Sequence, residues 1–169
     1  PICDVPNIAF GSMPNDGGNF LLTDEEKDEL IKNEPLSEKY IRQLLSASEF
    51  LNGKNKWCLW LENLNPNDLK LMPLVKQRIE NVKKLRAEST REATKKLAEY
   101  PTLFGENRQP KSEYIGIPLN TSGNRIYIPF AYLSENIVAN NTMSVIPNSS
   151  IFHFGVLTSI MHMVWVKYI

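Results

Sequence analysis

Hydrophobic positions along this chain change period several times, and each change marks an element. Up to Thr23 the sequence is rich in Gly, Pro, Asn and Asp (GSMPNDGGNFLLT), which predicts an irregular loop. Thr23 followed by Glu26 has capping-box spacing and predicts a helix from Asp24 to about Asn33. Asp24, Glu25 and Glu26 then sit at its positive end. Pro35 ends that helix, and Ser37 predicts a second one to about Leu45, burying Tyr40, Ile41, Leu44 and Leu45. Asn52-Gly53 signals a turn, and Trp57 to Leu61 (WCLWL) reads as a strand buried on both faces. Pro66 starts a short helical turn through Leu71. Pro73 opens a long helix predicted from Leu74 to about Glu99. Val75, Ile79, Val82, Ala93 and Leu97 fall on one side of it, and Lys76, Lys83, Lys84, Arg91 and Lys95 on the other.

The period shifts to two in KSEYIGIPLNTSGNRIYIPF, residues 111–130. Two strands are predicted, Tyr114 to Ile117 and Arg125 to Phe130, joined by a polar turn through Asn120, Thr121, Ser122, Gly123 and Asn124. Ile126, Ile128 and Phe130 share one face of the second strand, while Arg125 and Tyr127 share the other. Further short strands are expected at Ile137–Ala139, Met143–Ile146 and Ile151–Phe154. From Gly155 on, Leu157, Ile160, Met161, Val164 and Tyr168 have the spacing of a core helix.

Composition narrows the class without naming a function. A chain of 169 residues with 42% hydrophobic and 22% charged positions is one domain's worth of ordinary globular protein. Cys3 and Cys58 make neither a disulfide framework nor a metal cluster, which points to a reducing, cytoplasmic setting. No apolar run is long enough to span a bilayer, so no membrane is expected. The start, PICDVP, has neither an initiator Met nor a signal pattern, and the chain stops within an apolar helical pattern. Both features predict a domain excised from a longer protein. Net charge is zero, but residues 70–125 hold 12 Lys and Arg against 6 Asp and Glu, and the remainder 7 against 13. Such a basic centre suits a polyanion, as it also suits a solvated helix face or an acidic neighbour.

Candidate chemistry concentrates around the predicted hairpin. An outward Arg125 beside Tyr127 suits the edge of a base pair, since Arg donates two parallel hydrogen bonds to guanine O6 and N7. The plainer reading is a half-solvated strand. Arg108, Lys111 and Ser112, in the polar connector before it, are candidates for phosphate contacts. The glycine-rich opening lacks nucleotide-loop spacing. Cys58, His153 and His162 supply no base-and-orienter set for a stand-alone hydrolase, and the two histidines read as structural. A docking module is the competing reading: the basic helix would meet an acidic protein or sibling domain without reading bases.

Several phrases are familiar in combination: CDVPNIAFGSMPNDGGNFLLTDEEK, FGENRQPKSEYIGIP, NRIYIPF and VIPNSSIFHFGVLTSIMHMVWVK. Together they resemble the target-recognition domain of the MmeI-like DNA methyltransferases, fused restriction-modification enzymes and related adenine-specific methyltransferases. The resemblance implies an α+β fold, a twisted, mainly antiparallel sheet with packed helices, similar to DNA target-recognition domains of restriction-modification enzymes. It implies that residues 1–169 form a single recognition domain acting on double-stranded DNA. The partner within the same chain would be an S-adenosylmethionine-dependent adenine N6 methyltransferase domain, with or without an endonuclease. By position, the resemblance puts Gly123, Asn124, Arg125 and Tyr127 at the bases. Many relatives carry a charged side chain where this chain has Gly123, and an arginine where it has Ile126, which leaves the recognised sequence open. The family's catalytic Asn-Pro-Pro-aromatic motif is absent, because Asn65-Pro66 is followed by Asn67 and Asp68. The fragment is therefore expected to hold no catalytic residues, cofactor or metal of its own.

Overall fold

The structure, a computed structural model, describes residues 6–168. The chain forms two compact units, each assembled from separated stretches: one from the residues up to Gly11, Leu45–Lys54 and Arg108 onward, the other from Ser12–Leu44 and Asn55–Asn107. Cys3 lies outside the described residues.

The first unit is built on a four-stranded antiparallel sheet. Its strands are β1 (Ala9–Phe10), β8 (Met143–Ile146), β5 (Tyr114–Pro118) and β6 (Ala131–Leu133), in that spatial order. In the centre Gly116 pairs with Val145 on one side and Ala131 on the other. A Cβ at Gly116 would meet Leu133 Cδ1 at 2.8 Å, so a side chain here would require Leu133 to repack. Leu45, Tyr114, Leu133, Ala139, Met143 and Val145 form the core, with Phe50 of helix α2 (Ala47–Asn52) packed against them. Gly53 ends α2 in the left-handed region (φ 61°), a conformation glycine adopts without a Cβ clash. The buried Tyr114 hydroxyl donates to Ile137 O at 2.6 Å, and loss of solvent pushes its pKa up to about 12.

The second unit contains β2 (Leu21–Leu22), β4 (Trp57–Leu59) and β3 (Ile41–Leu45), antiparallel in that order. Phe20, Leu22, Leu44, Cys58, Leu59, Val75 and Val82 are buried in it. Helix α1 (Asp24–Asn33) has the expected capping box, with Glu26 N–H donating to Thr23 Oγ1 at 3.2 Å and Thr23 N–H to Glu26 Oε2 at 2.9 Å. The short helix α3 spans Pro66–Lys70. Helix α4 (Pro73–Ala87) is capped from a distance: the buried Glu34 carboxylate accepts from Leu74 N–H and, at 3.2 Å, from Val75 N–H. A carboxylate there satisfies two orphan donors and complements the helix dipole.

Several expectations change, beginning with the irregular loop expected up to Thr23, which contains strands β1 and β2. Residues 35–40 form a 3-10 turn and 41–45 form strand β3, where a helix from Ser37 to Leu45 was predicted. The spacing of Tyr40, Ile41, Leu44 and Leu45 suggests one helical face, but pairing of Ile41 with Leu59 and of Gln43 with Trp57 makes the segment a strand. The long helix stops at Ala87; a short helix α5 (Glu92–Lys96) and a 3-10 turn (Leu97–Glu99) follow. Arg86 is the cause. It continues the buried row of Val75, Ile79 and Val82, and its guanidinium donates to the carbonyls of Pro14, Asn15, Leu97, Tyr100 and Leu103 at 2.8–3.2 Å. Those bonds require the chain after Ala87 to turn back. Residues Arg125 to Phe130 are loop, and the strand paired with β5 begins at Ala131. Ile151–Leu157 is helix α6, started by Ser150 N–H donating to His153 Nδ1 at 3.0 Å. Finally, α7 (Ile160–Tyr168) is helical but not core: of its residues only Met163 is buried. Strands Val138–Ala139 (β7) and β8 match their predicted positions, the former one residue shorter.

Candidate nucleic-acid interface

Twelve residues, Leu119 to Phe130, link β5 to β6 and carry the predicted base-reading group. The segment cannot pair as a strand along its length, because β6 starts only at Ala131. Its feet are nonetheless fixed. Leu119 N–H donates to Thr142 O at 3.0 Å, and Ile128 N–H donates to Met163 Sδ at 3.2 Å. Between them a tight turn is closed by Arg125 N–H to Ser122 O at 3.2 Å, with Asn124 N–H donating to Ser122 Oγ at 3.3 Å.

Gly123, Asn124, Arg125 and Tyr127 are all exposed on this loop. The predicted two-faced alternation fails at Ile126, which is 66% exposed, whereas Ile128 and Phe130 are half-buried, as an inward face requires. The Arg125 guanidinium has no hydrogen-bond or ion-pair partner among the described residues. Nothing lies within 4 Å of a Cβ built on Gly123, so the position has open space for a larger side chain.

The phosphate candidates occupy the other end of β5. Arg108, Lys111 and Ser112 are exposed in the segment that leads into Tyr114. Arg108 Nη1 donates weakly to Gly11 O at 3.4 Å, and Ser112 Oγ donates to Asn148 Oδ1 at 3.1 Å. Lys111 has no partner among the described residues. The two groups lie off opposite ends of β5, a strand about 17 Å long at roughly 3.3 Å per residue.

The basic helix proves less basic than its sequence. Lys76 lies 4.0 Å from Glu80, Lys84 4.0 Å from Glu88, and Lys95 2.9 Å from Glu92. Arg86 is buried, and Arg78 donates to Asn19 O at 2.9 Å. His153 and His162 serve as structural groups, the latter with Nδ1 2.7 Å from Leu157 O. Cys58 is fully buried, and burial pushes its thiol up to about 12. Sequence reasoning missed the cation–π contact of Arg42 with Trp60, 5.5 Å from guanidinium carbon to ring centre. Residues so far apart in sequence carry no local signal of that contact. No helix among the described residues is long and apolar enough to cross a membrane.

Against known proteins, the family model described as MmeI, target recognition domain, matches residues 1–169. "DNA methyltransferase A" of Bacillus subtilis (strain 168) is 37% identical over 167 residues, which cover 99% of this chain and 19% of that protein. A solved structure of the type IIL restriction-modification enzyme MmeI in complex with DNA matches with a TM-score of 0.90 at 40% identity, over 98% of this chain and 22% of that one. The chain therefore spans about a fifth of the length of these relatives. A match over the whole length, at these identities and with this fold, makes the chain a member of the MmeI target recognition domain family.

Proposed function

We propose that the chain is the single sequence-recognition domain of a cytoplasmic restriction-modification methyltransferase and that its ligand is double-stranded DNA. Family membership supports the role. The observation that carries the mode of reading is the Arg125 guanidinium: exposed, unpartnered among the described residues, and mounted on a loop pinned at both feet. A loop backbone pinned at its feet loses less freedom on binding, and an uncommitted guanidinium keeps its donors for discrimination. Arg125 would take a guanine edge in the major groove, with Asn124 and Tyr127 beside it and Gly123 leaving room for the approach. Arg108, Lys111 and Ser112 would fix register through the backbone.

The catalytic partner in this reading is an adenine N6 methyltransferase domain of the same polypeptide, which supplies S-adenosylmethionine binding and takes the adenine out of the stack. Docking through the basic helix is the weaker alternative, because Lys76 and Lys84 of α4, and Lys95 of α5, each face a glutamate.

Methylated-site mapping with the full-length enzyme tests the assignment. Arg125→Ala should relax one base pair of the recognised sequence, a cost of about 1–3 kcal/mol. Lys111→Ala should weaken binding to all sequences and lower the salt slope by about 1. An unchanged methylation motif in the Arg125 variant would overturn the base-reading role.

A further inference from the structure

We propose that the second unit carries its own contact to the DNA backbone: a phosphodiester oxygen held by Arg42 in the concavity between Lys39, Arg42, Trp60, Asn63, Asn65 and Asp68. The proposal rests on the DNA-recognition reading and adds a site to it. The concavity has a volume of about 320 Å³ and opens to solvent. Trp60, only 6% exposed, forms a fixed floor, and the half-buried Arg42 of β3 lies over its ring at 5.5 Å. This cation–π contact biases the position of the guanidinium while leaving its N–H donors uncommitted, and such donors suit a phosphate oxygen. Arg42 makes no hydrogen bond or ion pair with another described residue.

The surrounding groups decide the ligand's chemistry. Asp68 is the one acid in the lining, and it already accepts from Lys39 Nζ at 2.9 Å and from Tyr40 Oη at 2.7 Å. Tyr40 Oη in turn accepts from Asn65 N–H at 3.2 Å, so the carboxylate is held toward Lys39 and Tyr40. Asn65 Oδ1 accepts from Asn67 N–H at 2.9 Å, which leaves the Asn65 amide NH₂ as a spare donor. With Lys39 and Asp68 offsetting each other, the lining has one net positive charge and an excess of donors. A singly charged diester oxygen matches that balance of one net positive charge, which a neutral base edge would leave uncompensated.

Duplex binding is measured against salt with the full-length protein, on a cognate and a scrambled duplex. Arg42→Gln should lower the magnitude of the log K against log salt slope by about 0.9 and weaken both duplexes by the same factor. Arg42→Lys, which keeps the charge, should restore the slope. In the unmodified protein, duplex should shield Arg42 from hydroxyphenylglyoxal, read by peptide mass spectrometry, a measurement that does not depend on any variant folding. An unchanged slope in Arg42→Gln, a loss confined to the cognate duplex, or an unshielded Arg42 each overturns the site while leaving DNA recognition standing. No salt-dependent duplex binding by the unmodified protein overturns both.

Discussion

The Ile128 amide donates to the Met163 sulfur across 3.2 Å, tying the inner foot of the 119–130 loop to helix α7. Met163 is the buried residue of an otherwise exposed helix, so this contact anchors loop and helix together. Met163→Leu conserves volume and should cost under about 1.5 kcal/mol of stability, while the Ile128 amide loses its acceptor. Amide exchange at Ile128 should quicken with the global unfolding midpoint nearly unchanged, and selectivity between cognate and near-cognate duplexes should fall. Slow exchange retained at Ile128 would show that the sulfur is not the anchor.

Arg86 replaces a core hydrophobe at the end of a helix and satisfies five backbone carbonyls with its five N–H donors. Burial lowers its pKa, opposed by the nearby Asp16, yet a guanidinium stays charged at any working pH. Arg86→Met strands those carbonyls and should cost about 3–5 kcal/mol in urea unfolding. Arg86→Lys, with three donors, should lose less.

Asp68 titrates below the ordinary aspartate range, chiefly through the hydrogen bond from Lys39 and then that from Tyr40, with burial opposing. A carboxyl whose folded pKa is depressed contributes stability above its unfolded pKa and loses it as pH falls through the folded one. Thermal midpoints of the unmodified protein and Asp68→Asn should therefore differ at neutral pH and converge below about pH 4. A constant difference down to pH 2 would contradict the assignment.

Cys58 is sealed in the second unit with its thiol pushed up to about 12, so almost no thiolate forms at neutral pH. Iodoacetamide at pH 8 should leave Cys58 unmodified in the native protein and label it promptly in urea, as peptide mass spectrometry would report. Rapid native labelling would reopen a nucleophilic role.

Elements with local punctuation are legible in the sequence itself. The Thr23–Glu26 box set α1, Pro73 started α4, and the β-rich run at 143–146 is a strand, because capping, proline geometry and short-range periodicity act within a few residues. The combination of phrases that identified the family is likewise a property of the chain alone. Sequence also placed Arg125 and Tyr127 on a solvent-facing surface. What it assigned wrongly depended on partners far along the chain. Ile41–Leu45 became a strand because residues 57–59 offered backbone to pair with, and the helix ended at Ala87 because Arg86 drew in carbonyls from 14 to 103. Whether residues 125–130 were strand or loop depended on where β6 could begin its ladder with β5. Local signals act over a turn or two of chain. The choice among buried partners is made only when distant segments meet, since hydrogen-bond satisfaction in a desolvated interior is a property of the assembled neighbourhood.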